Sequence, residues 1–151
     1  MVQTKAKVIK ESIKINAPRE KVWQILTDDK YTRIWYAEFS EGSHAQTDWQ
    51  LGSKAIFADN SGNGLVAKII ENKPNEIISM EYQGMFIDGK EDNQSEHAKE
   101  VIGGRETYTL SESEGVTTLT TQLDMSSDMF DSMTEAWKKA LNKIKQLAES
   151  I

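Results

Sequence analysis

The chain has 151 residues, with 18 Lys plus Arg against 24 Asp plus Glu, a net charge of −6, two His and no Cys. The missing cysteines exclude disulfides, thiolate zinc sites, iron–sulfur clusters and a Cys nucleophile, and His44 and His97 alone are too few for a His-rich metal centre. The acidic balance argues against a nucleic-acid partner, which needs clustered Lys and Arg.

A chain of this length buries roughly 68–70% of its unfolded surface around one core, so residues 1–151 read as a single domain. No run approaches the ~18 apolar residues of a membrane span, so no stable membrane insertion is expected. Met1 to Lys7 lead no apolar stretch of signal-peptide length, which points to the cytoplasm.

Residues 7–15 alternate, with Ile9, Glu11, Ile13 and Ile15 on one face and Val8, Lys10, Ser12 and Lys14 on the other: a half-buried strand. Asn16 then offers a helix cap, and Pro18 suits only a first turn, so a helix follows with Val22, Trp23, Ile25 and Leu26 at helical spacing. A second short helix, Asp29 to Trp35, places Tyr31, Ile34 and Trp35 on one side.

From Phe39 to Asp124 the texture is β. Runs such as 55–58, 65–70, 77–86, 105–110 and 116–123 are separated by turn chemistry at 59–64, 72–75 and 112–115. Short separators imply hairpins and an antiparallel meander, with six strands here and seven in all. Residues 88–100 interrupt this texture with five acids and two lysines. They read as a solvated loop with a short helix from Ser95 to Val101, a mobile lid over a cavity being the functional alternative. Last, Ser126, Ser127 and Asp128 offer caps to a long helix running to Ser150. Its stripe of Phe130, Met133, Trp137, Leu141, Ile144 and Leu147 must pack on the sheet. The class is α+β.

This order resembles the START-like, birch-pollen-allergen-like helix-grip (SRPBCC) superfamily, and within it the domains homologous to the activator of the heat-shock chaperone ATPase. The marks are Ile15-Asn16-Ala17-Pro18 with Val22-Trp23, Trp35, Leu51-Gly52, Glu106-Thr107-Tyr108-Thr109-Leu110, Gly115-Val116-Thr117-Thr118-Leu119 and Trp137-Lys138-Lys139-Ala140-Leu141. Ser53 departs from the second Gly that many members carry. The resemblance implies a curved sheet wrapped around the long helix with a cavity between them. Relatives fill that cavity with lipids, sterols, hormones, polyketides or aromatic compounds, and some close members serve a chaperone. It supplies no shared catalytic residue and no cofactor.

Strand parity turns Ile78, Met80 and Tyr82 inward, with Glu106, Tyr108 and Leu110, Leu119, Thr121 and Leu123, and Ala55 and Phe57. With Trp35, Phe86, Phe130, Met133 and Trp137 they supply aromatic and Met surface suited to a small hydrophobic guest, or simply a dry core. Two inward carboxylates stand out, Glu11 and Glu106, because a buried carboxylate must be paired, hydrogen-bonded or protonated. Glu106 beside Tyr108 is the candidate polar anchor, and either could act as general acid or base in a cyclase-like enzyme. A pair with Arg105 or a Lys at the sheet rim is the plainer explanation.

Asp59, Ser61, Asn63 and Gly64 mimic part of a calcium loop, but Ile70 stands where its last ligand belongs, so a hairpin turn is expected. His97 beside Glu96 and Glu100 offers one His and mobile carboxylates, too little for a metal site to be expected, and Gly103-Gly104 leads into a strand, not a phosphate-binding helix. Three functions remain: a carrier of a lipid-like or polyketide-like ligand, a cyclase-like enzyme, or an interaction module for a chaperone, as a monomer or weak dimer.

Overall fold

The computed structural model describes residues 6–151; residues 1–5, the beginning of the stretch read as free of a targeting signal, lie outside the described residues. The alternation after them becomes β1 (Ala6–Ile15), followed by α1 (Arg19–Thr27) and α2 (Asp29–Tyr36). The β-rich middle gives β2 (His44–Gln46), β3 (Lys54–Ala58), β4 (Gly64–Lys73), β5 (Ile77–Ile87) and β6 (Lys90–Asp92). Then come α3 (Glu96–Val101), β7 (Arg105–Ser113), β8 (Val116–Ser126) and α4 (Phe130–Ser150). The strands form one antiparallel sheet in the order β1-β8-β7-β5-β4-β3-β2, with β6 on β5. Among the described residues it has eight strands, where seven were expected. Strands as short as β2 and β6, three residues each, carry too little alternation to be counted from sequence.

Two expected caps are replaced by other chemistry. Pro18, not Asn16, occupies the N-cap of α1, and the Asn16 N–H instead donates to Glu149 Oε2 at 2.8 Å, tying this turn to the end of α4. Met129 precedes α4 without a side-chain cap, because β8 runs on to Ser126 and takes up the first of the expected capping residues. On α2 the buried stripe is Tyr31, Thr32, Trp35 and Tyr36, at i, i+1, i+4 and i+5, while Ile34 is exposed.

The C-terminal carbonyls of α1, which lack intrahelical partners, are taken up by neighbours. Asp28 N–H donates to Gln24 O, Trp35 Nε1 to Ile25 O and Trp49 Nε1 to Thr27 O, each at 2.9 Å. Two indoles from different segments thus lock α1 to α2 and to the loop before β3. The inner faces of the sheet meet α4, whose Trp137, Ala140, Leu141, Ile144 and Ala148 are buried and which packs on β1, α1 and α2.

Residues 88–100 are ordered into β6 and α3 and anchored through Ala98, which is fully buried. Beyond them Gly103 N–H donates to Tyr82 O and Tyr82 N–H to Gly104 O, so the segment is stitched to β5. At 59–64 the Asp59 carboxylate accepts from Ser61 N, Ser61 Oγ and Ser40 Oγ, an Asx turn that closes the β3–β4 hairpin. Those donors hold its pKa down at about 2. No helix among the described residues is long and apolar enough to cross a membrane.

Candidate functional site

Between the sheet and α4 lies a cavity of about 240 Å³. That is below the roughly 300–1,000 Å³ of ordinary ligand pockets, so it suits only a compact guest. Its walls are Trp35 and Tyr36 of α2, Phe57 of β3, Tyr82 of β5, Tyr108 of β7, and Met133 and Trp137 of α4. Four of the rings form one packed group: Trp35 lies 4.4 Å from Tyr36, 6.1 Å from Trp137 and 6.4 Å from Tyr108, and Tyr108 lies 5.7 Å from Trp137, centroid to centroid. A more exposed rim carries Ser43, His44, Asp59 and Asn63.

Glu106 sits among these rings. The alternation of β7 puts Tyr108 two residues along the same face, and the register Met80–Glu106 puts Tyr82 diagonally across on β5. Both phenols donate to the carboxylate, Tyr82 Oη to Oε1 at 2.5 Å and Tyr108 Oη to Oε2. Burial pushes the Glu106 pKa up, and the two phenol donors pull against that. Burial first, and then the Glu106 charge, pushes the hydroxyls of Tyr36, Tyr82 and Tyr108 well above the ordinary tyrosine range. Arg105 is not its partner: alternation sends Arg105 to the outer face, where its guanidinium meets Glu81 at 3.6 Å. Trp137 Nε1 and Thr121 Oγ1 are buried on this side without hydrogen-bond partners among the described residues.

Seven of the candidate residues line the cavity: Trp35, Phe57, Tyr82, Glu106, Tyr108, Met133 and Trp137. Four do not. Met80 is buried in the core between Ile69 and Glu106, and Phe86 is half-buried beside Gly64 at the far end of β5. Phe130 is half-buried under Lys7, whose Nζ lies 5.1 Å from the ring centroid. Glu11 is half-buried on β1, opposite Thr121 of β8, on a strand that packs against α4, and is not among the cavity's lining residues. No residue of 88–100 is among the cavity's lining residues, and the segment touches the rim only through its start, where Asp88 N–H donates to Asn63 Oδ1 at 3.0 Å.

Tyr36, His44 and Asp59 were not anticipated in the lining. Tyr36 was legible as the i+4 neighbour of the buried Thr32, whereas His44 and Asp59 arrive only through the pairing of β2 with β3.

A raised folded pKa means that Glu106 stabilises the fold fully below its unfolded value of ~4.3, and that this contribution is lost as the pH rises through the folded value. Glu106→Gln removes the titration. Thermal melts between pH 4 and pH 8 should show wild type losing ground to the variant as the pH rises. A pH-independent gap would contradict the assignment.

The family model described as "Activator of Hsp90 ATPase homolog 1-like protein" matches residues 16–149. No curated protein matches the chain. Among solved structures it is similar to protein MLL2253 from Mesorhizobium loti, with a TM-score of 0.73 and 16% identity over 93% of this chain and 96% of that one. It is also similar to the Aha1 dimer from Colwellia psychrerythraea, solved in solution, with a TM-score of 0.72 and 20% identity over 95% of this chain and 96% of that one. CalU16 from Micromonospora echinospora aligns with a TM-score of 0.67 and 17% identity over 95% of this chain and 76% of that one. At such identities the likeness is one of fold: an SRPBCC-type sheet around a long C-terminal helix. With the family model covering nearly the whole chain, the protein belongs to the Activator of Hsp90 ATPase homolog 1-like family.

Proposed function

We propose that the protein binds a small, largely apolar or aromatic molecule in the cavity between sheet and α4, with Glu106 as its polar anchor. The observation that carries this reading is the lining itself: aromatic walls around one carboxylate held by two phenols. Apolar area supplies affinity in such a site, and a few placed polar atoms supply orientation. Because Trp35 and Trp137 lie in the wall, binding should report itself in tryptophan fluorescence.

Titration with 1-naphthol tests the reading. At about −0.5 kcal/mol for each of its ~11 heavy atoms, the expected Kd is on the order of 100 μM. A saturable change at one site, with a 1:1 adduct in the native mass spectrum, supports the proposal. Unsaturable quenching with no adduct from any small apolar or aromatic compound would overturn it.

Membership of a family described by chaperone-ATPase activation favours a second reading, an interaction module for that chaperone. Stoichiometric recovery of the chaperone on the immobilised protein, unaffected by cavity substitutions, would favour the surface over the cavity.

A further inference from the structure

We infer that the cavity selects an organic cation: an ammonium group on a compact apolar or aromatic body, seated against Glu106. This rests on the proposed ligand cavity and narrows its guest. The first support is the hydrogen-bonding polarity of the site. Tyr82 and Tyr108 each spend their single hydroxyl hydrogen on Glu106, so both oxygens present only lone pairs to anything else. Each carboxylate oxygen of Glu106 accepts once and keeps further acceptor capacity. Glu106, Tyr82 and Tyr108 together therefore present acceptors and no donors, which suits a guest rich in N–H or with a diffuse positive charge.

The second support is charge. Among the described lining residues Glu106 and Asp59 are acidic, and none is Lys or Arg. His44, on the rim, faces the Gly42 carbonyl through Nδ1 at 3.1 Å. The nearest guanidinium in sequence, Arg105, is committed to Glu81 on the outer face. A carboxylate placed in an apolar cavity without a cation is what a positive guest would complete.

The third support is the wall. Trp35, Tyr36, Phe57, Tyr108 and Trp137 line the same cavity as the carboxylate, and the faces of such rings attract ammonium groups, more strongly where water is excluded. Trp137, only 3% exposed, also carries a buried Nε1–H without an acceptor, which an ether or ester oxygen on the body of the guest would fill.

A matched pair of probes tests this directly: N,N,N-trimethylanilinium, and tert-butylbenzene, its uncharged isostere. Both are titrated by tryptophan fluorescence into wild-type protein and Glu106→Gln at pH 8 and low salt, with folding of the variant checked by its thermal melt. The expected result is that wild type binds the cation at least tenfold more tightly than the isostere, and that the ratio falls to about one in the variant. Equal affinities in wild type, or a preference for tert-butylbenzene, would overturn the cation assignment while leaving the hydrophobic cavity standing. If neither probe nor 1-naphthol binds, the cavity reading itself fails. The wild-type pair alone decides between these outcomes if the variant does not fold.

Discussion

Trp35→Ala should destabilise the protein by about 3–5 kcal/mol, the range for deleting a buried Trp or Phe side chain. Trp35 is 1% exposed and packs against Tyr36, Tyr108 and Trp137, so truncation leaves a void at the centre of the aromatic group. It also removes the Nε1–H that satisfies Ile25 O at the end of α1. Against a typical total of about 5–15 kcal/mol, such a loss is a large fraction of the stability. A midpoint lowered by roughly 10–15 °C is expected for a domain of this size. Trp35→Phe separates the two contributions, since it keeps most of the ring and loses the hydrogen bond, at about 1–3 kcal/mol. Denaturant unfolding followed by circular dichroism checks both. Equal losses for Ala and Phe would show that the bond to α1, and not ring packing, carries the effect.

The second large effect is expected at Gly64, where β4 begins opposite Ala58 of β3 and Phe86 of β5. A Cβ there would overlap the Phe57 carbonyl oxygen and lie 2.7 Å from the carbonyl carbon and 2.9 Å from Ala58 Cα. All three are backbone atoms of a paired strand, so no side chain can swing away, and the β3–β4 hairpin must open. Gly64→Ala should cost about 3 kcal/mol, the upper end of ordinary overpacking. The damage should reach the cavity as well, because Phe57, Ala58, Asp59, Gly64 and Leu65 all line it. Weaker 1-naphthol binding should therefore accompany the lower midpoint. Gly89→Ala is the control: no atom obstructs its Cβ, and the cost is the left-handed backbone alone, with φ at +77° and about 1 kcal/mol expected. If Gly64→Ala costs no more than this control, the close approach does not constrain the hairpin.

Much of this molecule can be read without coordinates wherever one residue's neighbours are set by local periodicity. The alternation of Ile9, Ile13 and Ile15 forecasts β1, and the stripe of Trp137, Leu141 and Ile144 forecasts α4. Parity along β7 is enough to turn Glu106 and Tyr108 the same way. Periodicity cannot say what lies opposite. Glu11 and Glu106 carry the same inward signature, yet only the second lines the cavity, while the first sits on β1, a strand that packs against α4. Capping propensity is similarly local: Asn16 has the chemistry of a cap, but α1 begins only at Arg19 with Pro18 at its N-cap, two residues further on.

By itself, then, the sequence determined the α+β architecture, the long helix against an antiparallel sheet, and an inward carboxylate next to a tyrosine, all consequences of contacts within a few residues. Only the tertiary structure decided that Tyr82 joins Tyr108 on Glu106, that Arg105 turns to Glu81, and that Tyr36, His44 and Asp59 meet at the same cavity. Those outcomes depend on the register of β5 on β7 and of β2 on β3, and on where α4 crosses the sheet. A one-residue change of register would invert every face involved, and the sum of many distant contacts is what fixes it.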